Sequence, residues 1–449
     1  MKKELHIRDK KRGLVYQLRK IMHHFFPDLF IWLREIEDFR RKSEYELAEL
    51  ITACIAMYLF KNDSRNAFNN LRKEAKFKIN YERLFNLKLP HPDTVENILR
   101  RLPNDVLEQL KDKMIAALLD KKSLHKYRYQ GQWFTVAIDG TGVVSFDEKH
   151  CEQCLHSTSK KGKTSYFHTV LEAKLVTSNG FAISLATEWI ENPLTEYDKQ
   201  DCERKAFTRL SDKIKEKYPR LPICLLADGL YPYQGFFETC DINNWVFIAT
   251  FKDGLLPSVW KKIEELLPLL PDNQIGEKIR QGKHQTNRHY RWINNIDYSG
   301  YKLNWIECVE IIETNADEVG NKFKQTRFSQ ITNIIPCNET IIDLITTGRM
   351  RWKIENEGFN QQKNGGYKMQ HKFARKSYRA MKNYYQCLQI ANMINQLMIL
   401  STEFQSQLKS KTSIKHLWWC MKGELIWGEI DQFINSVVKI CKTQVRFIS

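Results

Sequence analysis

Two apolar runs in the sequence end on the same dipeptide. Trp133-Phe134-Thr135-Val136-Ala137-Ile138-Asp139 and Leu221-Pro222-Ile223-Cys224-Leu225-Leu226-Ala227-Asp228 each read as a buried β-strand, and each is followed by Gly. The first is expected to stop at Asp139, in a Gly140-Thr141-Gly142 turn. A carboxylate that closes a buried strand is partly desolvated, so a cation or a hydrogen-bonding loop must balance its charge. If the two strands are parallel neighbours, Asp139 and Asp228 emerge at one sheet edge. A third carboxylate is Glu355, in Arg351-Trp352-Lys353-Ile354-Glu355-Asn356-Glu357-Gly358-Phe359. On a regular helix Trp352 and Phe359 share its face, so an apolar stripe packed on the sheet would carry Glu355 toward the two Asp residues. Glu357 then points nearly opposite, and only one of the two Glu residues can serve.

Three converging carboxylates cannot all remain ionised and unpaired. Divalent cations resolve the repulsion, and hard oxygen ligands suit Mg2+ or Mn2+. Two such ions roughly 3.5–4 Å apart would clamp a scissile phosphate, one activating water or a 3′-hydroxyl and the other stabilising the leaving oxygen. The competing reading makes all three capping or salt-bridged groups, with Glu355 paired to Arg351 one turn earlier. It leaves the two strand-end Asp residues unexplained.

The elements that must position these groups follow a legible order. Residues 1–128 read as a helical N-terminal domain, with amphipathic runs at 44–69 and 104–121 and a capped helix start at Asp93, with Glu96 as its third residue. These helices form either a DNA-binding helix-turn-helix or a bundle that packs on the next domain. From 129 to 265 strands at 133–139, 164–177 and 180–190 precede a helix at 198–218, the Asp228 strand, a helix at 232–243 and a strand at 245–250. That is the order of a ribonuclease-H-like α/β catalytic core, in which the first and fourth strands are adjacent. Residues 266–337 read as a β-rich insertion with strands at 288–296, 301–312 and 322–335. Residues 338–400 return to the core's final helices, and 401–449 form a C-terminal helical segment. The Glu355 helix should stop at Asn364-Gly365-Gly366.

The chain of 449 residues carries a formal charge of +17 and a pI near 9.2, which favours a polyanionic partner. No apolar run approaches a membrane span and the start of the chain has no signal-peptide core, so a cytoplasmic, nucleoid-associated protein is expected. Eleven Cys, several in apolar surroundings, suit reduced core thiols. Between Gly358 and Thr402 there is no acidic residue. Lys363, Lys368, Lys372, Arg375, Lys376 and Arg379 alternate there with Tyr367, Phe373, Tyr378, Tyr384 and Tyr385, the pattern of a phosphate-backbone track on double-stranded DNA. Arg351 is a further phosphate contact, and the Lys160-Lys161-Gly162-Lys163 turn is either a DNA contact or an exposed hairpin tip. Trp292 and Trp305 are either core or platforms for a flipped base. In His150-Cys151-Glu152-Gln153-Cys154-Leu155-His156, with His168 beyond, Cys151, Cys154 and His156 form part of a structural zinc site or a loop of reduced thiols.

These pieces resemble the DDE transposases of bacterial insertion sequences, in the group with a β-strand insertion before the catalytic Glu. The matching stretches are Ile138-Asp139-Gly140-Thr141, Leu226-Ala227-Asp228-Gly229-Leu230-Tyr231 and Arg351-Trp352-Lys353-Ile354-Glu355, in the right order, and the likeness covers about residues 90–400. The resemblance selects Glu355 over Glu357, because it follows Arg-Trp-x-Ile. It implies metal-dependent cleavage at transposon ends and strand transfer to a target, with Asp139 bridging two metals and Asp228 and Glu355 each completing one site. It also implies a homodimer in the DNA complex. Two positions depart from the family pattern: Gly348 stands where a Tyr is usual, and Gln362 where a Lys is usual. Lys363 comes one residue late, about 100° further round a regular helix, and a π-bulge near Gly358 would bring it back into line. The other readings are a stand-alone metal nuclease on the same fold and a transposase-derived DNA-binding protein without activity.

Overall fold

The computed structural model describes residues 13–281, 284–314, 322–408, 412–440 and 444–448. The basic cluster of the first twelve residues lies outside them. The protein is mixed α/β. Among the described residues the strands are β1 (Phe134–Phe146), β2 (Leu155–Thr158), β3 (Thr164–Val176), β4 (Ala182–Ile190), β5 (Ile223–Ala227), β6 (Val246–Thr250), β7 (Gln274–Gln281), β8 (His284–Tyr298), β9 (Tyr301–Thr314) and β10 (Lys322–Thr332). They form one sheet in the order β2-β3-β1-β5-β6-β10-β9-β8-β7, with β4 also paired to β3. β1, β3 and β4 are antiparallel, whereas β5 and β6 run parallel to β1. The short parallel strands are buried on both faces and so read as continuous apolar runs.

The strands of 266–337 continue the same sheet, because β10 pairs with β6. Here the sequence suggested a use for Trp292 and Trp305 that the fold does not allow. Both are buried, and Trp305 donates its indole N–H to Ser329 Oγ at 2.9 Å, so they are core side chains rather than base platforms.

The helices gather around one long helix, Tyr378–Ile399, which is buried along most of its length. Its freedom from acidic residues accords with that burial. Asn383 donates to the carbonyls of Leu99 and Leu102, each at 2.9 Å, and so ties it to the N-terminal helices. Helix Leu47–Leu59 is buried at every position, not amphipathic as its sequence suggested. The C-terminal helix Ile414–Ile426 joins the same bundle: Glu424 accepts from the backbone N–H groups of Leu14 and Val15, at 2.9 and 3.0 Å, and caps helix Leu14–Phe25 from across the chain. Helix Pro92–Leu99 is capped by His91, not Asp93. Pro92 takes the first helical position, and Glu96 is drawn inward by Arg65 and Arg100. The described cysteines are all free. No described helix is long and apolar enough to cross a membrane.

Candidate active site

β1 and β5 stay in parallel register through Ala137 and Leu226, and Asp139 and Asp228 each lie two residues further on. Their side chains therefore leave the sheet on the same face and at the same edge. β1 does not stop at Asp139, as expected, but runs on to Phe146 against β3, where Asp139 faces Glu172. The Gly-Thr-Gly segment is strand with a bulge between Gly142 and Val144. Only the neighbour β5 ends there, and its end opens the space around Asp139. Asp228 turns the chain by accepting from the Leu230 N–H at 2.8 Å.

Glu355 lies close enough to Asp139 to raise its carboxyl. The chain there is a 3-10 turn, Met350–Trp352, followed by a π-helix, Ile354–Asn360, so regular helical spacing fails. Phe359 packs inward as expected, but Trp352 is 54% exposed and does not share the buried stripe. Gly358 lets the π-helix close on the sheet: a Cβ there would stand 3.1 Å from the Lys174 side chain, which is itself fully buried. Glu357 pairs with Lys353 at 3.2 Å, away from the two Asp residues.

The extra residue in each π turn rotates the residues beyond it. Gln362, in the expected lysine position, is buried and bonds to Gln389 and Asn392 at 2.8 and 3.2 Å. Lys363 is the one that reaches the site. Its burial lowers the ammonium below the usual lysine range, while Asp139 and Glu355 pull it back up. A π-bulge at this point is what the displaced lysine required.

Asp139 is the electrostatic centre. Its carboxyl is raised to about 7, chiefly by burial; Arg351 opposes the rise, and Glu203, Glu355 and Asp228 add to it. The Arg351 guanidinium lies 3.6 Å from its carboxylate, so Arg351 turns to Asp139 rather than to Glu355, and its buried Nε has no acceptor among the described residues. The fourth carboxylate, Glu203, belongs to no motif in the sequence. It opens helix Glu203–Lys217, accepts from the Tyr231 hydroxyl at 2.7 Å and packs on Gly140, where a Cβ would meet its Oε2 at 2.6 Å. Burial raises its carboxyl, the Tyr231 bond opposes that, and Asp228 adds to it. A helix expected from 198 onward hides Glu203 inside the first turns; the true start places it at the edge where β5 ends.

Four carboxylates with Arg351 and Lys363 beside them make a hard oxygen donor set with too much negative charge for two cations to balance. Such a set fits divalent Mg2+ or Mn2+.

The remaining cations and thiols lie nearby. Lys368, Arg375, Lys376 and Arg379 are exposed, and Lys372 is half-buried over the Phe146 ring at 4.8 Å. The interleaved Tyr367, Phe373, Tyr378, Tyr384 and Tyr385 are all buried, so the track is one of cations, not stacking platforms. Lys160, Lys161 and Lys163 form an exposed hairpin tip. Cys151 and Cys154 do come together, but with His150 and His168. His156 is the residue displaced: it sits on the short strand β2, is exposed, and is held by Gln200 through its backbone. In register it stands opposite Tyr166, with the two rings 6.1 Å apart, and so lies along β2 beyond the reach of the thiols.

No protein-family model matches the chain, and no curated protein matches it.

Proposed function

We propose that the protein is a DDE-type DNA transposase, acting on a ribonuclease-H-like core. The order β4-β3-β1-β5-β6, three antiparallel strands followed by two parallel to β1, supports that assignment of the core. The observation that carries the function is the meeting of Asp139, Asp228 and Glu355 with Glu203, Arg351 and Lys363 at one sheet edge.

Asp139, Asp228 and Glu355 would hold the divalent cations, which supply Lewis-acid stabilisation of the phosphoryl oxygens. The protein's own groups do the rest. Arg351 keeps Asp139 oriented and partly ionised, and offers its buried Nε–H to a phosphate oxygen. Lys363, already desolvated, supplies a second cation to the same phosphate. Asp139 would hold a cation in its ionised form, which Arg351 favours and burial opposes. The exposed cations from Lys368 to Arg379 would carry the flanking duplex, and pairing of two transposon ends requires at least two copies of the chain.

The test is cleavage of labelled DNA bearing the gene's own flanking sequences, in Mg2+ or Mn2+, by the wild type and by Asp139→Ala, Asp228→Ala and Glu355→Ala. Cutting at a defined end by the wild type alone, with binding retained by all, supports the reading. Cutting without a defined end would favour a stand-alone nuclease. Specific binding with no cutting by any of them would leave a DNA-binding relative.

A further inference from the structure

We infer that His150, Cys151, Cys154 and His168 form a structural zinc site that clamps the loop after β1 to the basic segment before the long helix. Their ligand atoms all lie within 4.8 Å of one another. The two sulfurs are 3.8 Å apart, and His168 Nε2 lies 3.5 and 3.4 Å from them. A tetrahedral zinc with Zn–S near 2.3 Å and Zn–N near 2.0 Å places its sulfurs about 3.8 Å apart and each sulfur about 3.5 Å from a nitrogen. The spacing is therefore that of ligands around one ion, and far too long for a disulfide, whose sulfurs would be bonded at about 2.0 Å.

His150 completes the set. Its Nε2 lies 2.6 Å from the Arg375 carbonyl oxygen, a bond in which the ring nitrogen must donate. That fixes the tautomer and leaves Nδ1 as a lone pair; Nδ1 is buried and has no hydrogen-bond partner among the described residues. This is how a metal-bound imidazole is usually held by its second nitrogen. His168 is fully buried, with its Nδ1 facing no described protein acceptor, and its ring stacks on Tyr378 at 3.8 Å. His150 stacks on Phe146 at 4.4 Å. Two soft thiolates and two imidazoles suit zinc, and four protein ligands leave no open position, so the site is structural rather than catalytic.

The consequence is mechanical. His150 and Cys151 follow β1, Cys154 precedes β2 and His168 belongs to β3; of their partners, Arg375 lies just before the long helix and Tyr378 begins it. A zinc here fixes Arg375, Lys376 and Arg379 relative to the strand that carries Asp139.

This inference goes beyond the catalytic reading and is tested without DNA. Zinc is measured in the full chain purified under reducing conditions without chelator, in the Asp139→Ala background so that carboxylate-bound metal is not counted. The expected result is a single zinc per chain that survives dialysis. Cobalt exchange should give the visible absorption of a tetrahedral, thiolate-bound ion. Cys154→Ser and His168→Asn should lose the metal, whereas His156→Ala keeps it. Should the ligand variants fold poorly, thiol modification of the unaltered cluster provides a second readout and should release the zinc stoichiometrically. A reduced, folded protein that carries only trace zinc and takes up neither zinc nor cobalt overturns the inference. So does full metal retention in the Cys151→Ser/Cys154→Ser double variant.

Discussion

The Arg351 guanidinium and the Asp139 carboxylate stand 3.6 Å apart, and neither has another ion-pair partner among the described residues. Arg351 exerts the largest charge effect on the carboxyl of Asp139, and it opposes burial and the three neighbouring carboxylates that raise it. The pair therefore sets how readily the central carboxylate ionises.

Asp139 should make metal-free stability fall with rising pH. Its folded carboxyl is raised from 3.8 to about 7, so the folded state holds a proton that the unfolded state has lost between those values. The stabilising contribution is complete below about 4 and disappears as pH rises through about 7. In EDTA, the wild type should lose stability relative to Asp139→Asn between pH 5 and 8. The loss should reach a few kcal/mol, since holding one extra proton is worth about 1.4 kcal/mol for each pH unit crossed. Urea unfolding of both proteins across that range measures it. Parallel curves would mean that Asp139 titrates normally.

Glu203→Gln should weaken divalent-cation binding several-fold and move the Asp139 midpoint down, because it removes one of the charges that raise it. The amide still accepts from Tyr231, so the helix start should remain folded. Mn2+ titration followed by electron paramagnetic resonance reads the affinity. Unchanged binding would place Glu203 outside the metal site.

How much of this was legible depends on whether the signal was local. Asp139 and Asp228 could be found because the parallel strands before them are buried on both faces and read as unbroken apolar runs. Glu355 and the β-rich strands were also visible. Trp352 defies its expected place because its stretch is 3-10 and then π, which no regular period describes. Glu203 escapes a motif search because it reaches its site from the start of a helix, outside the motif stretches, whereas His168 was in view beside the Cys-x-x-Cys run and the choice of His156 over His150 was not settled by spacing. β7, rich in polar residues, and the four-residue β2 carry too little apolar pattern to be read as strands.

Lys363 and Gln362 should fail in different ways. Lys363→Ala is expected to cut cleavage roughly ten- to a hundredfold with little change in unfolding, as it removes a cation from the reacting phosphate. Gln362→Ala leaves Gln389 and Asn392 underpaired in the core, and should cost on the order of 1–3 kcal/mol of stability. The reverse pattern would mean that the helix has no π turn.

Lys368, Arg375, Lys376 and Arg379 should contribute to affinity rather than to sequence preference. Each change to Ala should weaken binding of any duplex and reduce the slope of log affinity against log salt by roughly one. Fluorescence anisotropy at several salt concentrations distinguishes this from a local effect; an unchanged slope for all four would exclude the track.

The most direct test of the catalytic account is strand joining. A duplex ending in the pre-cleaved 3′-hydroxyl of the gene's own flank is mixed with a supercoiled plasmid, protein and Mn2+, and joined products are counted. Joining is expected from the wild type and from none of Asp139→Ala, Asp228→Ala and Glu355→Ala at equal DNA binding. Joining that persists in any of the three variants would contradict it.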